Sequence, residues 1–124
     1  MVEAGTGSGS LSHAIARTIF PSGHLYTFDF HQERVRLANQ EFQDHDLAQF
    51  ITCQQKDVCE QGFDLKDTAD AVFLDLPKPW LAIPFAYQAL KTRGKCLCKT
   101  GVNCVIDFID FIHLFSLLDD FVPN

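Results

Sequence analysis

Along the chain, short runs of branched and aromatic residues alternate with stretches in which apolar residues recur every three or four positions. Met1-Val2-Glu3-Ala4 reads as the end of a strand running into Gly5-Thr6-Gly7-Ser8-Gly9. Ser10 is expected to cap a helix over residues 11–20, where Leu11, Ala14, Ile15, Thr18 and Ile19 fall at helical spacing. Pro21-Ser22-Gly23 stops it. Residues 24–30 (HLYTFDF) predict a strand with Asp29 near its carboxyl end. Residues 31–44 then place Val35, Ala38 and Phe42 on one helical face. A third strand is predicted at 50–55, a connection at 62–67 and a fourth strand at 70–76, whose apolar run suits burial on both faces. Pro77-Lys78-Pro79 breaks the chain, a helix over 80–90 begins near Pro79, and 95–99 (KCLCK) gives a fifth strand.

This order predicts an α/β fold built on an open, mostly parallel sheet. In such sheets ligands gather at the carboxyl ends of strands, near the point where strand order reverses. The glycine turn, Asp29 and Asp75 are all expected there.

Composition narrows the picture. At 124 residues and 47% apolar content, the chain suits one domain burying about two-thirds of its unfolded surface. A net charge of −6 argues against this surface alone neutralising a polyanion, so a nucleic-acid substrate calls for a basic partner. Lys91, Arg93, Lys95 and Lys99 form a basic cluster, read as a solvated helix end rather than a phosphate site. Five cysteines, an odd number, with no signal-peptide pattern ahead of them, predict free thiols in a reducing compartment. Cys96, Cys98, Cys104 and His113 lack the paired knuckles of a zinc site, so no metal is expected. No run reaches about 18 apolar residues, and no membrane span is expected.

Glycines between a strand and a helix let a ligand approach the backbone closely. A triphosphate loop needs GxxxxGK[ST], and no lysine follows here. A serine elbow, GxSxG, is absent too. A dinucleotide site (GxGxxG) and a methyl-donor site ([DE]xGxGxG) remain, and Glu3-Ala4-Gly5-Thr6-Gly7-Ser8-Gly9 fits the second better. Both would use an acid after the second strand, so Asp29 does not separate them. A ligand-free turn is the plain alternative, made less apt by the surrounding βαβ order.

Four motifs in order, EAGTGSGSLSHAIART, FDFHQERVRLA, KDVCEQGF and ADAVFLDLPKPW, resemble the catalytic subunit of the eukaryotic tRNA (adenine-58-N1)-methyltransferases over about residues 1–95. The resemblance implies a Rossmann-like methyltransferase fold, S-adenosylmethionine as cofactor, tRNA as substrate, and a related non-catalytic subunit in a nuclear heterotetramer. By the same resemblance, Glu3, Ala4, Gly5, Thr6, Gly7, Ser8, Gly9 and Ser10 wrap the methionine part of the cofactor. Asp29, standing where the family usually has glutamate, holds the ribose. Arg34 is a further contact, and Asp57 with Val58 brackets the adenine. Leu74-Asp75-Leu76-Pro77 matches the catalytic aspartate motif, with Leu76 where isoleucine is common, and meets the substrate base. Asp75 also borders the cofactor. Adenine N1 carries a free lone pair at neutral pH, so positioning and a carboxylate near the developing charge are what the reaction needs. The target base has to leave its stack, and Trp80 is expected to fill the core beneath rather than stack on it.

Past residue 95 the resemblance ends. The family's last strands are expected to be missing, leaving a domain over 1–95 and a divergent apolar tail over 96–124. In that tail Asp107, Asp110, His113, Ser116 and Asp119 recur every third residue and leave no clean apolar face. With its first strand a stub, the chain is expected to be a fragment of marginal stability. A catalytically inactive module that binds the partner subunit is the alternative function.

Overall fold

The computed structural model describes residues 1–100 and the strand 102–106, with side chains through Cys98. Six strands form one sheet in the order β3-β2-β1-β4-β5-β6. β1 (Val2–Ala4) lies at its centre, pairing in parallel with β2 (Leu25–Asp29) on one side and β4 (Ala69–Leu74) on the other. β3 (Ile51–Gln55) extends the sheet beyond β2. β5 (Leu90–Thr100) runs parallel to β4, and β6 (Val102–Ile106) returns antiparallel beside β5. The chain therefore leaves β1 in one direction and comes back to its other edge, so strand order reverses between β1 and β4. A crevice opens at the carboxyl ends of such a pair.

Alternation along the central strands explains the layering. Val2, Ala4, Phe28, Val72 and Leu74 face one side and pack with Val58 of α3 (Val58–Gln61), Phe63, and Ile83 and Ala86 of α4 (Ile83–Ala89). Leu25 and Ile51 meet Ala16 of α1 (Ser10–Ile19) and Ala38 and Phe42 of α2 (Gln32–Asp44). In α2 the buried residues are Val35, Ala38 and Phe42, the stripe the sequence predicts. Glu3, between two core residues of β1, necessarily points toward α1.

Several expectations are corrected. Ser10 does not cap α1: Gly9 is the N-cap, at φ 84°, without a side-chain hydrogen bond, and Ser10 is the first helical residue. The helix expected at 80–90 is divided into a 3₁₀ turn (Pro79–Leu81) and α4, because Ile83-Pro84 begins a new helix. Trp80 is 44% exposed and is not core, since that turn carries it to the surface. Leu90 belongs to β5, which runs on through position 95. The last strands are not all missing, for β6 pairs in register with β5 from Cys96↔Ile106 to Thr100↔Val102. The short helix α3 falls in a segment given no element by periodicity. The side chains of Lys99 and Cys104, together with Asp107, Asp110, His113, Ser116 and Asp119, lie outside the described residues.

Candidate active site

A cleft of about 390 Å³ opens where β1, β2 and β4 end, within the size range of small-ligand sites. Three chain segments build its floor. Gly5, at φ 96°, turns the backbone so tightly that its amide donates to Phe28 O at 2.8 Å, while the Asp75 amide donates to Ala4 O at 2.9 Å. A Cβ on Gly5 would overlap the Asp75 carbonyl oxygen. Glycine here is what lets the turn and the end of β4 touch. Gly7, at φ 55°, has nothing within 4 Å of a would-be Cβ, so space lies open beside that backbone.

Asp29 closes the second wall. Its carboxylate is buried and accepts the Gly7 amide at 3.0 Å and the His31 amide at 2.9 Å. These bonds fix the carboxylate between the glycine turn and the start of α2, with lone pairs remaining for a ligand's hydroxyls. Arg34 reaches it only at 3.9 Å and is largely exposed, a pairing of little energetic weight. Asp57 lies at the third wall, where it caps α3 by accepting the Cys59 amide at 3.1 Å. Val58 beside it is buried yet lines the cleft, giving an apolar surface for a flat ring.

Gly5, Asp29, Arg34, Asp57, Val58, Asp75, Leu76 and Pro77 thus share one cleft. Asp75 is exposed at its mouth. The remaining predicted residues stand elsewhere. Glu3 and Thr6 are buried behind the turn, in a network where Thr27 Oγ1 donates to Glu3 Oε1 at 2.7 Å and shares a hydrogen bond with Thr6 Oγ1 at 2.8 Å. Ala4 and Leu74 are wholly buried in the core. Ser8 and Ser10 are exposed and bond one another at 3.0 Å. Gly9 packs on Phe42 and ends the turn; its carbonyl meets His13 Nδ1 at 2.7 Å.

Phe28, Phe30, His31, Lys56, Cys59, Lys78 and Leu81 also line the cleft, and sequence reasoning had not singled them out. Phe30, His31 and Lys56 flank the two acidic positions, so chain adjacency was the signal available. Lys78 and Leu81 come in through the turn after β4, which only the fold brings back. Lys56 pairs with Asp64, which draws its charge away from the cleft floor.

Burial sets the proton affinities around the turn. It raises the Glu3 carboxyl above its ordinary range, with bonds from Ser12 and Thr27 opposing and the charge of Asp75 adding. It pushes the Cys53 thiol up to about 11, and raises Cys59 as well. A hydrogen bond between Cys96 and Cys98, together with burial, raises Cys96.

This sheet order and crevice define the Rossmann-like fold of the methyltransferases. The chain superposes on a SAM-dependent O-methyltransferase from Thermotoga maritima with a TM-score of 0.75 and 28% identity, over 98% of this chain and 43% of that one. A SAM-dependent methyltransferase from Aquifex aeolicus gives 0.68 at 18% identity, over 78% of this chain and 53% of that one, a likeness of fold. The model of the family described as tRNA methyltransferase complex GCD14 subunit matches residues 1–109, and the chain belongs to that family. It is 54% identical over 102 residues to the tRNA (adenine(58)-N(1))-methyltransferase catalytic subunit of Dictyostelium discoideum, covering 79% of this chain and 32% of that protein. The subunit of the same description from Yarrowia lipolytica is 51% identical over 87 residues, 68% of this chain and 22% of that protein. The chain spans about a third or less of these curated relatives. The family match extends past residue 95, in keeping with β5 and β6 continuing the sheet.

Proposed function

We propose that this chain carries the cofactor site of an S-adenosylmethionine-dependent tRNA (adenine-58-N1)-methyltransferase, working as catalytic subunit with a related non-catalytic subunit. The observation that carries this reading is the convergence of the glycine turn, Asp29 and Asp75 on one crevice. The donor set fits the cofactor: carboxylates at two walls for hydroxyls and an amine, an apolar Val58 for a ring, and a floor at Gly5 that carries no side chain. When bound, S-adenosylmethionine supplies a methyl group on a positively charged sulfur.

The chain's own residues do the rest. Asp29, clamped by two amides, holds a ribose without reorganising. Asp57 accepts from the exocyclic amine of the cofactor's adenine while Val58 supports the ring. Asp75, fixed by its amide to Ala4 O, presents a carboxylate at the mouth, where it accepts a hydrogen bond from the target adenine and stabilises the positive charge that develops on that ring. Leu76 and Pro77 form the adjoining wall, and Pro77 and Pro79 stiffen the turn that holds it. A net charge of −6 gives these 124 residues no excess of positive charge for tRNA phosphates, so tRNA capture is assigned to groups outside them.

Asp75→Ala tests the assignment in a complex reconstituted with the partner subunit. S-adenosylmethionine affinity is expected to stay within a few-fold of the unaltered chain while methyl transfer to tRNA is abolished. Near-normal transfer rejects the role of Asp75. Cofactor binding by the unaltered chain with no transfer in the complex favours the alternative, a partner-binding module without catalysis.

A further inference from the structure

Behind the cleft wall sits a group that no step above uses. Glu3 is 1% exposed; Oε1 accepts from Ser12 Oγ and Thr27 Oγ1, while Oε2 has no hydrogen-bond partner among the described residues. A buried carboxyl with one bare oxygen favours its neutral form, because ionisation forfeits hydration that the two bonds to Oε1 only partly replace. Glu3 pairs with Phe73 across β1 and β4, two positions before both Gly5 and Asp75, the residues at which the cleft begins. Any charge bound in the cleft therefore acts on Glu3 through protein rather than through water, where screening is weak.

We propose that Glu3 is a charge-sensing residue behind the glycine turn, which keeps its proton when the cleft holds no cation and releases it when a sulfonium ligand is bound, so that the protein discriminates the methyl donor from its thioether product. The inference rests on the reading of the cleft as a methyl-donor site and adds a basis for its ligand preference. Donor and product differ by one methyl and one positive charge at sulfur. Neutral Glu3 gives no electrostatic preference between them; ionised Glu3 favours the donor. By linkage, a ligand that promotes loss of this proton binds more tightly as pH rises through the titration of Glu3.

The groups around it agree with this assignment. Burial raises Glu3 above its ordinary value of 4.5, Asp75 at the end of β4 adds to the rise, and Ser12 and Thr27 limit it. Across β2, the Cys53 thiol of β3 lies in the field of both Asp29 and Glu3 and is pushed up to about 11, so it stays neutral through the window concerned. On α1, His13 follows Ser12 and is engaged by Gly9 O and by His45 Nδ1 at 3.0 Å. Glu3→Gln leaves these rings in place, so the difference between the two chains reports on Glu3.

Calorimetric titration of the full chain with S-adenosylmethionine and with S-adenosylhomocysteine, in paired buffers of different ionisation heat from about pH 5 to about pH 7, counts the protons released. The unaltered chain is expected to release more protons with the donor. Its preference for donor over product should rise with pH, by up to about tenfold for each unit the Glu3 titration moves. Glu3→Gln should erase both the difference and the pH dependence, while Thr27→Val, which removes one stabilising bond, should keep them and shift the rise to higher pH. Equal proton counts in the unaltered chain, or a difference that survives in Glu3→Gln, overturn the proposal. Binding of both ligands without a proton difference sinks this inference alone; binding of neither sinks the reading of the cleft as well.

Discussion

Three glycines in five residues look equivalent in the sequence, yet they bear different loads. Gly5 holds the turn against the Asp75 carbonyl, so Gly5→Ala forces β1 and β4 apart on top of its left-handed backbone at φ 96°. Gly7→Ala meets no neighbour and costs only the strain of positive φ, about 1–2 kcal/mol. Thermal melting of the two variants is expected to show a much larger loss for Gly5→Ala, with cofactor binding gone; equal losses would contradict the close approach. Cysteine chemistry separates by residue too. With its thiol pushed up to about 11, Cys53 should resist alkylation by iodoacetamide near neutral pH, and its modification should keep rising well above pH 9. The spacing of the motif could not rank these positions, because the ranking depends on what each would-be Cβ meets across the fold.

Elements built by local pattern were legible, and those built by contact were not. α2 could be read from Val35, Ala38 and Phe42 because a helix burying one face needs that period. β4 could be read from its apolar run for the same kind of reason. The aromatic pair Phe42 and Trp80 shows the limit. Phe42 is 1% exposed and packs against the Gly9 backbone and the His13 ring, so Phe42→Ala should cost about 3–5 kcal/mol. Trp80, 44% exposed on its 3₁₀ turn, should cost far less when replaced by alanine, which chemical denaturation of both variants checks. Hydrophobicity alone suggests the opposite ranking, since tryptophan is the larger ring. β6 escaped reading because an antiparallel edge strand is stabilised by its ladder to β5, a non-local partner.

At the scale of the whole molecule, Glu3 ties stability to pH. Its folded-state proton affinity is raised by burial, so its stabilising contribution is full below the ordinary value of 4.5 and is lost as pH rises through the raised folded value. Relative to Glu3→Gln, the unaltered chain should therefore lose melting temperature as pH rises above 4.5; a parallel pair of pH profiles would contradict the buried titration. The order of strand and helix, the glycine turn and the acids after two strands were determined by the sequence itself, because each is a local pattern of period or residue type. Tertiary structure decided how the motif's acids divide between interior and cleft. Asp29, Asp57 and Asp75 converge there from segments far apart in the chain, whereas Glu3, within the same motif as Gly5, is turned into the interior by the alternation of a central strand. A side chain's facing is set by what packs on each side of the sheet, and that information lies in pairs of residues distant along the chain.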